Sequence, residues 1–201
     1  TFLRICVAPD NLGAGRAGGA SRGAANAAPA ARTIPDRATW YARPYKVFDN
    51  LYFIGTKVHS AWALTTSEGI IVIDTLFDYA IEPEMVEGLT TLKLNPRDIK
   101  YVLISHAHSD HVGGASYLQD RFNAKVIMSE ADWALLEGTK TSWRKPRKEL
   151  VAPDGQQLTL GGTTLTLHIT PGHTLGTIST LIPVLDGGTR HVAAYWGGTA
   201  F

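Results

Sequence analysis

Gly69-Ile70-Ile71-Val72-Ile73 and Tyr101-Val102-Leu103-Ile104 are apolar without a break. Successive side chains of a strand point to opposite faces, so a strand with no polar alternation must be covered on both. Between the two runs, residues 81–92 carry Met85, Val86, Leu89 and Leu92 at helical spacing on one face, and Asn95-Pro96 ends the pattern. The second strand is read as residues 99–104, followed by a helix over 114–122 and a third strand over 124–128. Ser129, with Asp132 three residues on, reads as an N-cap for a helix over 131–137. Strand and helix in alternation predict an α/β fold, a sheet covered by helices.

Simpler strand patterns flank this centre. Residues 47–55 and 60–65 are β-type runs with turn formers at Asp49-Asn50 and Ser67-Glu68-Gly69. After Gly138, a hairpin with Gly161-Gly162 at its turn continues as a strand to Ile169, and residues 177–182 and 191–196 add two more around Asp186-Gly187-Gly188. The basic stretch 140–148, with Trp143 inside it, reads as a solvated loop or helix face. Residues 1–40 are set apart as a Gly/Ala-rich arm without period, read as disordered, and residues 41–201 as the folded domain. With no starting Met and no closing helix before Phe201, the chain is expected to be a fragment that lacks the C-terminal part of its fold.

Composition narrows the chemistry. Nineteen Lys and Arg balance eighteen Asp and Glu, so no net field draws the protein to nucleic acid. No stretch reaches the roughly 18–20 apolar residues of a membrane span. One cysteine, Cys6, rules out an intrachain disulfide or a cysteine-rich metal cluster. A metal site must therefore be built from histidine and carboxylate.

Such residues are concentrated at one place. Ile104-Ser105-His106-Ala107-His108-Ser109-Asp110-His111 holds three of the seven histidines and an aspartate directly after a buried strand. Strand ends open onto the rim of a sheet, where ligands bind in α/β proteins. His106 and His108, two apart, share one side of an extended backbone, and Gly113-Gly114 permits a tight turn after them. The bland alternative, a loop of surface histidines, does not account for four ligand-type residues in six positions. Alternate side chains in such a loop can face two neighbouring metals. Thr170-Pro171-Gly172-His173-Thr174 follows another apolar strand and projects His173 from a turn. His59, His168 and His191 match no such pattern; His59 could line the cleft, but surface placement is the expectation, and the other two are expected to face solvent or make local hydrogen bonds.

Taken together, the H-x-H-x-D-H loop, the Gly172-His173-Thr174 turn and the strand Ile71-Val72-Ile73 ending in Asp74 resemble the metallo-β-lactamase superfamily, over residues 47–201. The resemblance implies a four-layer αββα sandwich and a zinc-dependent hydrolase. It implies that His106, His108 and His173 form a first zinc site and that Asp110 and His111 form most of a second. It also implies that Asp74 steadies the ligand loop, beside the alternative of a purely structural strand-end carboxylate.

Members of the family such as glyoxalase II carry a Gly-Asp-Thr segment whose Asp bridges the metals. Here the stretch reads Gly197-Gly198-Thr199, without that carboxylate. Histidine at the first ligand position and no cysteine at this stretch resemble the third subclass of the β-lactamases. That subclass implies a β-lactam substrate opened by hydroxide, which zinc supplies at neutral pH by lowering the pKa of bound water to about 7. Asp110 would orient the nucleophile. A monomer in the periplasm or secreted, acting on a small molecule, is the expected setting. Hydrolysis of a lactone, thioester or phosphodiester, and a weakly active metal-binding fragment with one firm zinc site and one poor one, remain open.

Overall fold

The computed structural model describes residues 33–198. Residues 1–32, which hold most of the expected arm, and residues 199–201 lie outside the described part. The arm does not extend to residue 40. Helix α1 (Arg37–Trp40) is capped by Asp36, and Trp40 is buried against the main core. Arg37 reaches the carbonyl of Pro83 at 2.6 Å. The folded part therefore begins before the expected boundary at 41, because Trp40 has apolar surface to bury.

A seven-stranded sheet forms the centre, in the order β1 (Tyr45–Lys46), β2 (Leu51–Phe53), β3 (Trp62–Thr66), β4 (Gly69–Ile73), β5 (Ile99–Leu103), β6 (Lys125–Met128) and β7 (Leu150–Val151). It is antiparallel as far as β4 and parallel from β4 to β7. Of the β-type run over 47–55 only Leu51–Phe53 is strand, and Asp49 and Asn50 sit, as turn formers, between β1 and β2. The helix expected over 81–92 begins as a π-helical segment, Ile81–Val86, and continues as α2 (Glu87–Thr91). Pro83, which has no N–H to donate, lies in its first turn. Next come the short helix α3 (Ser109–Val112), then α4 (Ala115–Phe122) and α5 (Glu130–Gly138).

The two faces of β4 and β5 explain their unbroken apolar runs. Ile70, Val72, Val102 and Ile104 face Met85, Leu89, Leu118, Trp133 and Leu136 of the helices. Ile71, Ile73 and Leu103 face the other way, onto a second sheet. That sheet is antiparallel, in the order β11 (Thr189–Tyr195), β10 (Ile178–Asp186), β9 (Thr163–Ile169) and β8 (Gln157–Leu160). It buries Leu165, Leu167, Ile178, Ile182 and Val184, and leaves Leu181 and Val192 exposed on its other side. This is the alternation of a sheet with one face in the core. The described residues thus stand as helices, large sheet and small sheet, three layers in the order of the expected αββα sandwich.

Polar ties join the two sheets at both ends of β10. At one end Ile178 donates its backbone N–H to the Ser105 carbonyl at 2.8 Å. At the other, Asn50 donates to the Pro183 carbonyl at 3.1 Å and accepts from the Leu185 N–H at 2.9 Å.

The basic stretch 140–148 is a loop, as expected. Arg144 and Arg147 pair with Asp120, Lys148 pairs with Glu130, and Trp143 packs against the core.

Candidate metal centre

Four segments meet at one edge of the two sheets. The end of β4 supplies Asp74, the loop after β5 and helix α3 supply residues 105–111, the turn between β9 and β10 supplies His173, and the end of β11 supplies Tyr195 and Gly197. Gly113 and Gly114 allow the second of these to pack on the first. A Cβ at Gly113 would stand 2.7 Å from the Asp78 nitrogen, and one at Gly114 2.6 Å from the Thr75 carbonyl. Ser109–Val112 curls into a single helical turn, which carries Asp110 and His111 on from His106 and His108.

His106, His108 and His173 each place one ring nitrogen within 4.8 Å of the other two. Their ring centroids are 4.5 to 4.9 Å apart and their planes nearly perpendicular, so the three imidazoles close around a common point. His108 Nδ1 lies 2.9 Å from His173 Nε2. His106 is buried and donates from Nδ1 to the Gly197 carbonyl at 2.8 Å. Its other nitrogen, Nε2, is buried and has no hydrogen-bond partner among the described residues. A buried polar atom without a partner is costly, and a lone pair aimed at two further imidazoles meets that cost when a cation sits there. Burial, and then the charge of His111, push the His106 pKa down to about 4, so the ring is neutral at neutral pH as a ligand must be. His108 is also lowered, by burial and by His173. The three histidines can hold a metal ion.

Asp74 organises the neighbouring pair. It ends β4 with φ at 59°, a left-handed conformation that aspartate tolerates better than most residues, and it is fully buried. Its carboxylate accepts from the Ser105 N–H at 2.7 Å, the Ser105 hydroxyl at 2.8 Å, His111 Nδ1 at 2.7 Å and the Tyr195 hydroxyl at 2.6 Å. Burial opposes its charge, but His111 and these donors hold its carboxyl below the usual range. With Nδ1 committed to Asp74, His111 presents Nε2 to the cleft, 3.3 Å from Asp110 Oδ2. Burial pulls the His111 pKa down, but Asp74 and Asp110 outweigh it and carry the pKa up to about 10. Asp110 is held below the ordinary carboxylate range despite burial, chiefly by His111.

Of the residues singled out in the sequence, His106, His108 and His173 come together, and Asp110 and His111 stand beside them. Asp74 does touch the ligand loop, as the tie to Ser105 and His111 requires. His59 is a correction: it lines the cleft, with Nε2 3.3 Å from Asp110 Oδ2 and its ring edge-on to Phe77 at 5.2 Å. The loop between β2 and β3 folds back over the sheet edge, which spacing along the chain cannot reveal. His168 and His191 sit on the second sheet, with His168 half-exposed 3.9 Å from Asp154 and His191 exposed.

Asp132, read only as part of a helix-capping pattern, has a larger part. Ser129 does cap α5. The fully buried Asp132 side chain accepts from the Ala107 N–H at 2.9 Å, the Thr174 hydroxyl at 2.9 Å and the Gly176 N–H at 3.1 Å. One carboxylate thereby joins the loop of His106 and His108 to the loop of His173. The Gly197 carbonyl and the Tyr195 hydroxyl were also missed. Tyr195 lies on the inward parity of β11 with Ala193, a signal available in the strand pattern.

The His111 and Asp74 pair makes a pH prediction for the metal-free protein. His111 ordinarily titrates near 6.5 and is raised to about 10 by folding, so its stabilising contribution is whole below pH 6.5 and is lost as pH rises towards 10. The thermal midpoint of chelator-treated protein should therefore fall over that window, and fall less in His111→Gln. Parallel curves for the two proteins would refute the pairing.

Known proteins have related sequences and structures. The solved structure of BJP-1, a subclass B3 metallo-beta-lactamase of Bradyrhizobium japonicum, superposes with a TM-score of 0.72 at 30% identity, covering 79% of this chain and 63% of that one. Native FEZ-1 metallo-beta-lactamase from Legionella gormanii gives 0.71 at 27% identity, covering 83% and 66%. Among curated sequences, a hydroxyacylglutathione hydrolase of Acidiphilium cryptum is 36% identical over 83 residues, 41% of this chain and 30% of its own. The chain thus spans less than two thirds of the length of these relatives. The family model for the metallo-beta-lactamase superfamily matches residues 54–186, the stretch that carries both histidine loops and strands β3 to β10, and the chain belongs to that superfamily.

Proposed function

We propose that the protein is a zinc-dependent hydrolase whose substrate is a β-lactam. The observation that carries the reading is the convergence of His106 Nε2, His108 and His173 on one point beside the Asp110 carboxylate. Three imidazoles leave a fourth tetrahedral position open, the arrangement of a catalytic rather than a structural zinc. Zinc held there activates water and polarises the carbonyl under attack. Asp110, kept ionised by His111, orients the attacking water and accepts its proton. Asp74 fixes the ring of His111 through Nδ1, so its other nitrogen stays aimed into the cleft. The Asp132 bridge keeps the two histidine loops in register while the substrate changes shape.

The β-lactam reading is favoured over a thioester by the segment after β11. A Cβ at Gly198 would stand 2.9 Å from His173 Cδ2, and one at Gly197 would run into the Ile178 carbonyl. A side chain at Gly198 would meet the His173 ring, and neither Gly197 nor Gly198 supplies a bridging carboxylate. The solved relatives at about 30% identity support the same choice. The thioester reading rests on the hydroxyacylglutathione hydrolases among the relatives. A chromogenic cephalosporin assayed beside a hydroxyacyl-glutathione thioester and a lactone, with the full-length protein loaded with zinc, separates them. Turnover of the cephalosporin should be fastest and be abolished by chelation, and preferential cleavage of the thioester would overturn the β-lactam reading. Residence in the periplasm or outside the cell as a monomer belongs to the same proposal.

A further inference from the structure

Glu84 is a carboxylate whose surroundings do not suit its charge. It lies in the π-helical segment Ile81–Val86 and is only 1% exposed. One oxygen, Oε1, accepts a long hydrogen bond from the Ala42 N–H at 3.3 Å. The other, Oε2, is buried without a hydrogen-bond partner among the described residues. Two charged groups act on it, Arg37 from α1 and Glu87 from α2, and they oppose one another. Arg37 is itself occupied, since it donates to the Pro83 carbonyl at 2.6 Å and lies 3.4 Å from Glu87. An ionised carboxylate enclosed in this way is far more costly than a neutral acid. Burial accordingly pushes the Glu84 pKa up to about 7, against the Ala42 hydrogen bond and Arg37.

Residues 37–44 lie along this helix as a strap that joins neither sheet, and only Trp40 and Pro44 in it are buried. Arg37 meets Pro83, Ala42 meets Glu84, and the Pro44 Cβ lies 3.4 Å from where a Cβ on Gly88 would stand. The strap also holds the loop between β2 and β3. Lys57 donates its backbone N–H to the Trp40 carbonyl and its Nζ to the Ala38 carbonyl, both at 2.9 Å. With Val58, His59, Phe77 and Tyr79, the strap residues Thr39 and Trp40 wall a cavity of about 210 Å³, and Val58 and His59 also line the metal cleft. We propose that Glu84 is a proton-operated latch: protonated, it lets the strap lie closed and hold the loop of Val58 and His59 at the cleft, and ionised, it draws in water and the strap lifts. A lifted strap returns Glu84 to its ordinary value of 4.5, whereas the closed one holds it near 7. Closure is therefore at full strength below pH 4.5 and is lost as pH rises through 7, and between pH 6 and pH 8 opening becomes about tenfold more favourable.

The test uses the full-length, zinc-loaded protein and reads amide hydrogen exchange by mass spectrometry, wild type against Glu84→Gln at each pH, so that the chemical rate of exchange cancels. Gln keeps the oxygen that Ala42 needs and carries no charge. Exchange over residues 37–44 and 55–60, relative to the variant, should rise about tenfold from pH 6 to pH 8, while β9 and β10 keep their protection. A ratio that stays flat with pH overturns the proposal. So does a rise shared equally by β9 and β10, which is loss of the whole fold, or one confined to 37–44, which frees the strap without loosening the cleft wall. Pro44→Cys with Gly88→Cys, in a Cys6→Ser background, makes a second arm that leaves Glu84 in place, since the two Cβ atoms lie near the about 3.5–4.5 Å of a disulfide. The oxidised form should lose the pH dependence and the reduced form regain it, and dependence that persists in the oxidised form overturns the latch. Circular dichroism matching wild type shows that each variant is folded.

Discussion

Asp132→Ala is expected to lower the stability of the metal-free protein by about 3–5 kcal/mol, because three buried donors lose their acceptor at once. The Ala107 and Gly176 N–H groups would be left inside the protein without a partner, and the Thr174 hydroxyl would keep its contact with Thr177. The loss should extend to metal affinity at the first site, since Asp132 joins the two loops that carry His106, His108 and His173. Urea unfolding gives the first quantity and competition against a chromophoric chelator the second. A loss below about 1 kcal/mol, the range of an ordinary surface change or a single net hydrogen bond, would show that the loops hold their places without the bridge.

Asp110→Ala should act in the opposite sense, on rate rather than on folding. Its side chain lies at the rim, about a quarter exposed, and its contacts are to His59 and His111. Removing a group that orients the nucleophile and accepts its proton should lower kcat about 10²–10⁴-fold. The thermal midpoint should move little. Measuring kcat at saturating zinc together with a melting curve decides the matter: turnover close to wild type would remove Asp110 from the chemistry, whatever happens to stability.

Much of this was legible in the chain because it is local. The runs at β4 and β5 are short, apolar and bounded by turns, and both-face burial follows from them directly. Four of the five expected ligands sit within six residues, so their proximity needs no tertiary information. The fifth, His173, was legible from its turn. His59 and Asp132 were not, for related reasons. His59 is separated from Asp110 by three strands and a helix, and only the return of the loop between β2 and β3 over the sheet edge brings them together. Asp132 sits in the first turn of a helix, where an acidic residue already has a sufficient local explanation in capping and in the helix dipole. A local reason masked a distant one. The π-helical start of the helix at residue 81 and the two-residue strand β7 likewise depend on packing rather than on pattern.

The ties at the two ends of β10 have a mechanical consequence. The core between the sheets is aliphatic, and aliphatic packing resists separation but sets sliding only loosely. What fixes the offset of one sheet on the other is directional: Asn50 grips Pro183 and Leu185 at one end, and Ile178, Tyr195 and Gly197 grip Ser105, Asp74 and His106 at the other. The side chains of the candidate metal centre are divided between the two sheets, so any shear between them changes their spacing. At about 3.4 Å per residue, the Asn50 clamp lies about 17–24 Å along the strand from Ile178. It acts as the distant gauge block of the cleft, and a cation gripped by both sheets closes the frame at its open end.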